Sequence, residues 1–146
     1  MEKDPPFSME YLERIRRVGS IANPFFCLMG IAVESAENGT AVLRMPVRPD
    51  MLNGEGWLQG GMYTALTDEA IVLAIYTMLL PNERIATITE TTTFLAGSRE
   101  GMLYATGRVV KKGKRVVFAE GEIRNGEAGG TLLSRTSAAY AVMRDS

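Results

Sequence analysis

The sequence predicts an α+β fold in which one curved antiparallel sheet wraps a single long helix, and three observations carry that prediction. Residues 62–80 are too many for an ordinary strand and are rich in Leu, Met and Ala, so they read as a helix. Within it, residues 70–80 are interrupted by no polar side chain except Thr77, so this half must be buried on nearly every face. After Pro81-Asn82 the hydrophobic period changes to two and stays there. A helix apolar on most sides has to be enclosed, and one curved antiparallel sheet is the simplest enclosure.

Taken in order, residues 1–7 read as a loose arm. Ser8 suits a helix N-cap, and Tyr11, Ile15 and Val18 recur on one side until Gly19, so residues 1–22 form an N-terminal arm and helix. Asn23-Pro24-Phe25-Phe26 turns the chain and brings two aromatics to the core or to the wall of a groove. Residues 30–37 and 41–47 read as strands joined by Asn38-Gly39, a strong hairpin signal. Pro46, Pro49 and a glycine-rich loop then lead into the long helix, which Pro81-Asn82 stops. Residues 86–95 hold Thr87, Thr89, Thr91, Thr92 and Thr93, β-branched side chains that suit a pleated surface. Strands follow at 102–111, 115–124 and 132–143, separated by Lys112-Gly113-Lys114 and by Asn125-Gly126 with Gly129-Gly130. In the segment 115–124, Val117, Ala119, Gly121 and Ile123 share one face and Glu120, Glu122 and Arg124 the other, so the sheet has one buried and one wet face. There is no internal repeat and no linker, and the 146 residues are expected to form a single domain.

Composition excludes more than it proposes. A net charge of −1 gives no electrostatic reason to expect nucleic acid. Cys27 stands alone, so no disulfide framework exists and a reducing, cytoplasmic setting is expected. Met1-Glu2-Lys3-Asp4-Pro5-Pro6 is polar and mixed in charge, unlike a signal peptide, and the apolar part of the long helix is too short to span a bilayer. There is no histidine. Ser-His and Cys-His catalysis, histidine-ligated zinc and histidine-based dehydration are thereby removed, and a single cysteine removes cysteine-rich metal sites. No metal is expected; chemistry must rest on carboxylates, amides, hydroxyls, lysines or backbone dipoles.

The stretch around which the chain is organised runs from Asn53 through Gln59-Gly60-Gly61 to Asp68 and Glu69, the only charged residues between Glu55 and Glu83. This Asn, then Gln-Gly-Gly six residues on, then Asp on the following helix resembles the active-site stretch of hotdog-fold acyl-CoA thioesterases. The branch it is most similar to is that of the phenylacetate-pathway thioesterases, within the 4-hydroxybenzoyl-CoA thioesterase superfamily. The resemblance covers roughly residues 23–143, including the threonine-rich strand, the Lys-Gly-Lys turn and the closing strand with Tyr140. It implies a cytoplasmic acyl-CoA thioesterase with no cofactor beyond the coenzyme A of its substrate. It also implies a homo-oligomer, a dimer or dimer of dimers, with sites built between subunits. One position departs: the branch usually has histidine where this chain has Gln59, which donates and accepts hydrogen bonds but carries no proton at neutral pH.

Thioester hydrolysis needs an activated water or a nucleophile and a place for charge on the carbonyl oxygen. The N–H groups of Gly60 and Gly61 open the helix, where unpaired donors and the positive dipole end coincide, so an oxyanion fits there. The alternative is that the two glycines only permit close packing. Asp68 is the candidate base or nucleophile, against a plain solvated helix residue. Glu69 points about 100° away on the helix and is given a structural or rim role. Asn53 holds the carbonyl or the water, or is ordinary turn chemistry before a glycine. Trp57 and Phe25 line an acyl pocket or belong to the core. Thr91, Lys112, Lys114 and Arg115 are assigned to substrate binding, the basic residues with Lys111 meeting coenzyme A phosphates, unless they are a solvated hairpin tip.

Spacing adds a partner. Asp68 lies about 12 Å along the helix from Gly60, whereas a base must lie within about 3 Å of the water it activates. Two copies of the helix about a two-fold axis would bring Asp68 of one subunit to Gly60 of the other. Two rival readings stand beside the enzyme: a non-catalytic acyl-CoA or acyl-carrier binding protein on the same fold, and a purely structural dimer.

Overall fold

The computed structural model describes residues 7–127 and 129–144, with the side chains of residues 7–9 outside that description. The expected loose arm therefore lies outside the described residues up to residue 6, as does any capping bond of the Ser8 side chain. The first helix, α1 (Phe7–Val18), already includes Ser8. A 3-10 turn (Gly19–Ala22) leads to a short helix, α2 (Pro24–Met29), where a bare turn was expected. The Asn23 carboxamide oxygen accepts from the Phe25 and Phe26 N–H groups at 3.0 and 3.3 Å, and Pro24 supplies a pre-set first helical residue. Phe26 is thereby turned fully into the core.

Asn38 and Gly39 have φ of 50° and 78°, the left-handed pair that a two-residue hairpin turn demands. They join β1 (Ala32–Glu37) to β2 (Thr40–Pro46), antiparallel as expected. The long helix, α3 (Gly60–Tyr76), begins at Gly60 and ends before Leu80. Its early end has a local cause. Thr77 donates its hydroxyl to the Ala74 carbonyl at 2.6 Å and accepts the Gly39 N–H at 2.8 Å, closing the helix and tying the hairpin tip to it.

The remaining strands are β3 (Glu83–Phe94), β4 (Met102–Lys112), β5 (Val116–Asn125) and β6 (Thr131–Arg144). They complete one six-stranded antiparallel sheet in the order β1-β2-β4-β5-β6-β3, curled around α3. Gly107 and Gly121 face each other across β4 and β5. A Cβ on Gly107 would sit 2.4 Å from the Ala70 carbonyl carbon, and one on Gly121 2.5 Å from Thr67 Cγ2, so the helix rests directly on the sheet backbone. Leu43, Leu66, Leu73, Leu103 and Ile123 fill one side of this contact; Ile71, Ile75, Val117 and Tyr140 fill the other.

β3 carries a bulge between Thr87 and Thr89, which leaves Ile88 outside the ladder and 56% exposed. Glu83, Ile85 and Thr87 pair with Arg144, Val142 and Tyr140, while Glu90, Thr92 and Phe94 pair with Ala138, Thr136 and Ser134. Both sets therefore face the helix. Glu83 is fully buried; it binds Lys112 Nζ at 2.7 Å and Arg144 Nη2 at 2.8 Å, and accepts the Leu80 N–H at 2.8 Å. Burial alone would push its carboxyl up, but the Lys112 bond, the Leu80 N–H and the Arg144 charge hold it below the ordinary value.

Candidate active site

The loop before α3 is built by Asn53. Its side-chain oxygen accepts from the Glu55 and Trp57 N–H groups at 2.9 and 3.1 Å, and its own N–H donates to the Trp57 carbonyl at 2.6 Å. The loop is pinned outward by Leu58 N–H to Ser98 O and Gln59 N–H to Met51 O, at 2.8 and 3.0 Å. Gln59 sits at the N-cap position of α3, exposed and making no side-chain capping bond. The first-turn N–H groups of Gly60 and Gly61 have no intrahelical acceptor. A Cβ on Gly61 would meet nothing within 4 Å and one on Gly60 only the Phe94 ring at 3.7 Å, so packing does not require glycine at either position. A groove of about 390 Å³ opens here, lined by Asn53, Gly60, Tyr63, Phe94, Leu95 and Gly97. Tyr63 meets Phe94 edge-on, with ring centroids 5.9 Å apart.

Neither expected wall residue lines the groove directly, though Trp57 adjoins it through Gly97. Trp57 lies against Gly97 with the Arg99 guanidinium 3.8 Å above its ring, and Phe25 packs half-buried on the core.

Gly60, Thr64 and Asp68 follow one another at four-residue spacing and so lie along one side of α3. The inward residues of β3 stand opposite them in the same sequence, Phe94, Thr92 and Glu90. Thr64 donates its hydroxyl to Thr92 at 3.0 Å, and Thr92 and Thr136 share a hydrogen bond of 2.9 Å. At the Asp68 end the fully buried Tyr140 places its hydroxyl 2.7 Å from Asp68 Oδ1 and 2.9 Å from Glu90 Oε1. Burial pushes the Glu90 carboxyl up to about 7, helped by its contact with Asp68 and opposed by the bond from Tyr140. Burial and the two carboxylates raise the Tyr140 hydroxyl as well. Glu90 was not among the residues the sequence singled out. Its one signal is an isolated acid in a run of threonines and apolar residues, on the same strand face as Thr92.

Glu69 turns to the other side of the helix, as the 100° step requires. It receives Asn23 Nδ2 at 3.4 Å, and that same amide donates to the Tyr11 hydroxyl at 2.8 Å. Burial pushes Glu69 up to about 7, with the Asp68 charge adding to it and the Asn23 bond working against it. Tyr11, Asn23, Glu69 and Tyr76 line a cleft of about 370 Å³ between α1 and α3.

The other expected binding residues are scattered. Thr91 pairs with Ser137 on the sheet face that looks away from α3, and there it borders an outer groove with Arg108, Glu120 and Arg135. Lys112 is committed to the buried Glu83. Lys114 and Arg115 are exposed at the β4–β5 turn, whose Arg115 carbonyl accepts the Val142 N–H at 2.8 Å. That turn lies beyond Tyr140, toward the C-terminal end of α3 and away from its own Gly60. Since α3 runs unbroken from Gly60 to Asp68, about 12 Å separate them along its axis.

A family model described as the thioesterase superfamily matches residues 55–131. Among solved structures, a thioesterase family protein from Silicibacter pomeroyi superposes with a TM-score of 0.81 at 19% identity, covering 92% of this chain and 99% of that one. A thioesterase from Haemophilus influenzae gives 0.79 at 21% identity, covering 91% and 90%. A phenylacetic acid degradation-related protein from Ralstonia eutropha JMP134 gives 0.79 at 21% identity, covering 90% and 98%. At these identities the likeness is one of fold, and the fold is the hotdog. No helix among the described residues is long and apolar enough to cross a membrane.

Proposed function

This chain belongs to the thioesterase superfamily, and on that premise we propose that it hydrolyses a coenzyme A thioester to the free acid and CoA. The observation that carries the reading is the open N-terminus of α3, bordering an apolar groove, on the same helix side as Asp68. In this reading the thioester oxygen sits on the Gly60 N–H, where the donors and the helix dipole meet the charge that develops on it. Gly61 leaves the approach clear. Asp68 takes a proton from water as its oxygen bonds to the carbonyl carbon. The C–S bond then breaks, and the departing CoA thiolate takes that proton back from Asp68.

The separation of Gly60 from Asp68 supports a site shared between two subunits. β3 lies at an edge of the sheet, offering its outer N–H and C=O groups to a second copy, and a two-fold axis there would run the two α3 helices antiparallel. Lys114 and Arg115, toward the C-terminal end of α3 past Asp68, then lie beside the partner's groove and meet the CoA phosphates, with Lys111 in the same role. Asn53 shapes the groove mouth by holding the loop. No metal or further cofactor takes part.

Gln59 favours a second reading, a non-catalytic acyl-CoA binder, because it cannot titrate. A panel of aromatic and aliphatic acyl-CoA substrates with free-thiol detection separates the two. The enzyme turns over at least one class, and Asp68→Asn lowers that turnover by about 100-fold or more while acyl-CoA still raises the melting temperature. Gln59→His changes the rate only modestly. Thermal shifts without turnover, together with a gain of several orders of magnitude in Gln59→His, would establish the binder instead.

A further inference from the structure

The cluster around Asp68, midway along α3, has a donor-acceptor arithmetic that constrains its state. Tyr140 has one hydroxyl proton and faces two carboxyl groups, Asp68 Oδ1 at 2.7 Å and Glu90 Oε1 at 2.9 Å. A phenol donates to one of them at a time. With both carboxylates charged, one contact is a bare repulsion between an anion and a hydroxyl oxygen, inside a site where Tyr140 is fully buried. With one proton added, every contact is satisfied: the protonated carboxyl group donates to the Tyr140 oxygen and Tyr140 donates to the other carboxylate. The count is the same for either carboxyl group, and taking Asp68 as the base assigns the proton to Glu90. The two carboxyl groups are also close enough to bond each other directly, which disfavours the doubly charged state further.

We propose that Asp68, Tyr140 and Glu90 act as one unit, in which Glu90 carries a proton that keeps Asp68 ionised and correctly oriented. The inference rests on Asp68 being the base. Glu90 and Tyr140 are then positioning residues, since neither reaches the reacting atoms. The groups that face Glu90 are Asp68 from α3 and Tyr140 from β6. Glu69 lies on the neighbouring side of α3, bonded to Asn23, and feels the Asp68 charge. The raised position of Glu90, about 7, agrees with the hydrogen-bond count. Because the groups are coupled, any pH midpoint belongs to the pair.

The unit makes the rate sensitive to pH on the alkaline side. As Glu90 loses its proton, two like charges face one hydroxyl and Asp68 is pushed out of line, so kcat falls as pH rises through about 7. Glu90→Gln keeps a donor toward Tyr140 and cannot ionise; its kcat drops a few-fold and no longer falls over that range. Tyr140→Phe removes the bridge, and we expect kcat to fall about 10- to 100-fold with KM nearly unchanged. A carboxyl NMR titration gives a readout independent of turnover. Glu90 should titrate near neutrality in the unsubstituted protein and shift toward the ordinary carboxyl range in Asp68→Asn. An unaltered alkaline fall in folded Glu90→Gln, a wild-type rate in Tyr140→Phe, or a Glu90 that titrates as an ordinary glutamate would each overturn the inference. Turnover that survives Asp68→Asn would sink the assignment of the base, and the NMR titration would still decide whether the proton-sharing unit exists.

Discussion

Asp68 and Glu69 carry the same functional group on adjacent residues, and α3 sends them to different chemistry. Asp68 reaches the β3–β6 seam, whereas Glu69 enters the cleft under α1, where Asn23 donates to it. The cost of that placement shows in the protonation of Glu69, which moves from 4.5 up to about 7 because burial disfavours its charge. Between those values the folded chain binds more protons at Glu69 than the unfolded chain does. The contribution of this group to stability is therefore full below about pH 4.5 and declines as pH rises to about 7. Glu69→Gln should remove the decline, so its melting temperature should gain on the parent at about pH 8 and not at about pH 4. A gain of equal size at both values would show that Glu69 is not the group involved. Alone, this residue could be read from the sequence only as the acid pointing away from Asp68. What it touches was settled by the Asn23 cap of α2, a helix hidden in a segment that looked like a turn.

At the scale of elements, the readable features were those that depend on neighbours in sequence. Asn38-Gly39 announced its hairpin, the apolar run announced α3, and the change of period after Pro81 announced the strands. The features that escaped depend on distant partners. α3 stops before Leu80 because Thr77 bonds the hairpin tip, and Thr91 faces outward while Glu90 faces the helix because Ile88 bulges. Without the bulge, odd-numbered Glu83 and Thr87 could not share a strand face with even-numbered Glu90 and Thr92. No local property of five threonines reveals that step. Lys112 is the sharpest case, since as a lysine in a Lys-Gly-Lys turn it looks like a phosphate ligand. Its side chain is instead only 16% exposed, and its ammonium is joined to a fully buried carboxylate. Lys112→Met should destabilise the fold by about 3 kcal/mol, because it strips a partner from the buried Glu83 charge. Lys114→Met should leave the melting temperature nearly unchanged and raise KM for the CoA substrate. Urea denaturation and substrate titration separate the two, and a stable Lys112→Met with raised KM would return that lysine to the substrate.

For the whole molecule, the proposed function requires each half of a site to meet the complementary half of another copy. If Gly60 and Asn53 serve from one subunit and Asp68 from the other, Asp68→Ala and Asn53→Ala are each nearly inactive, yet a mixed dimer holds one doubly damaged and one intact site. With random exchange about half the dimers are mixed, so activity should return to about a quarter of wild type. Differently tagged chains verify the exchange, and verified mixed dimers as inactive as their parents would refute the shared site. The strand order bears on a different matter, the making of the chain. β3 is third in sequence but last in the sheet, and β6 is its sole strand neighbour among the described residues. A ribosome finishes residue 94 and then adds fifty more before β6 is complete, roughly 3–10 s at ordinary elongation rates. Throughout that interval β4, β5 and β6 are still being added, and the threonine-rich strand lacks the neighbour it pairs with. Completion of β6 thus delivers Tyr140 to the carboxylates and, in the same stroke, pairs an edge of β3 that is otherwise open to another nascent chain.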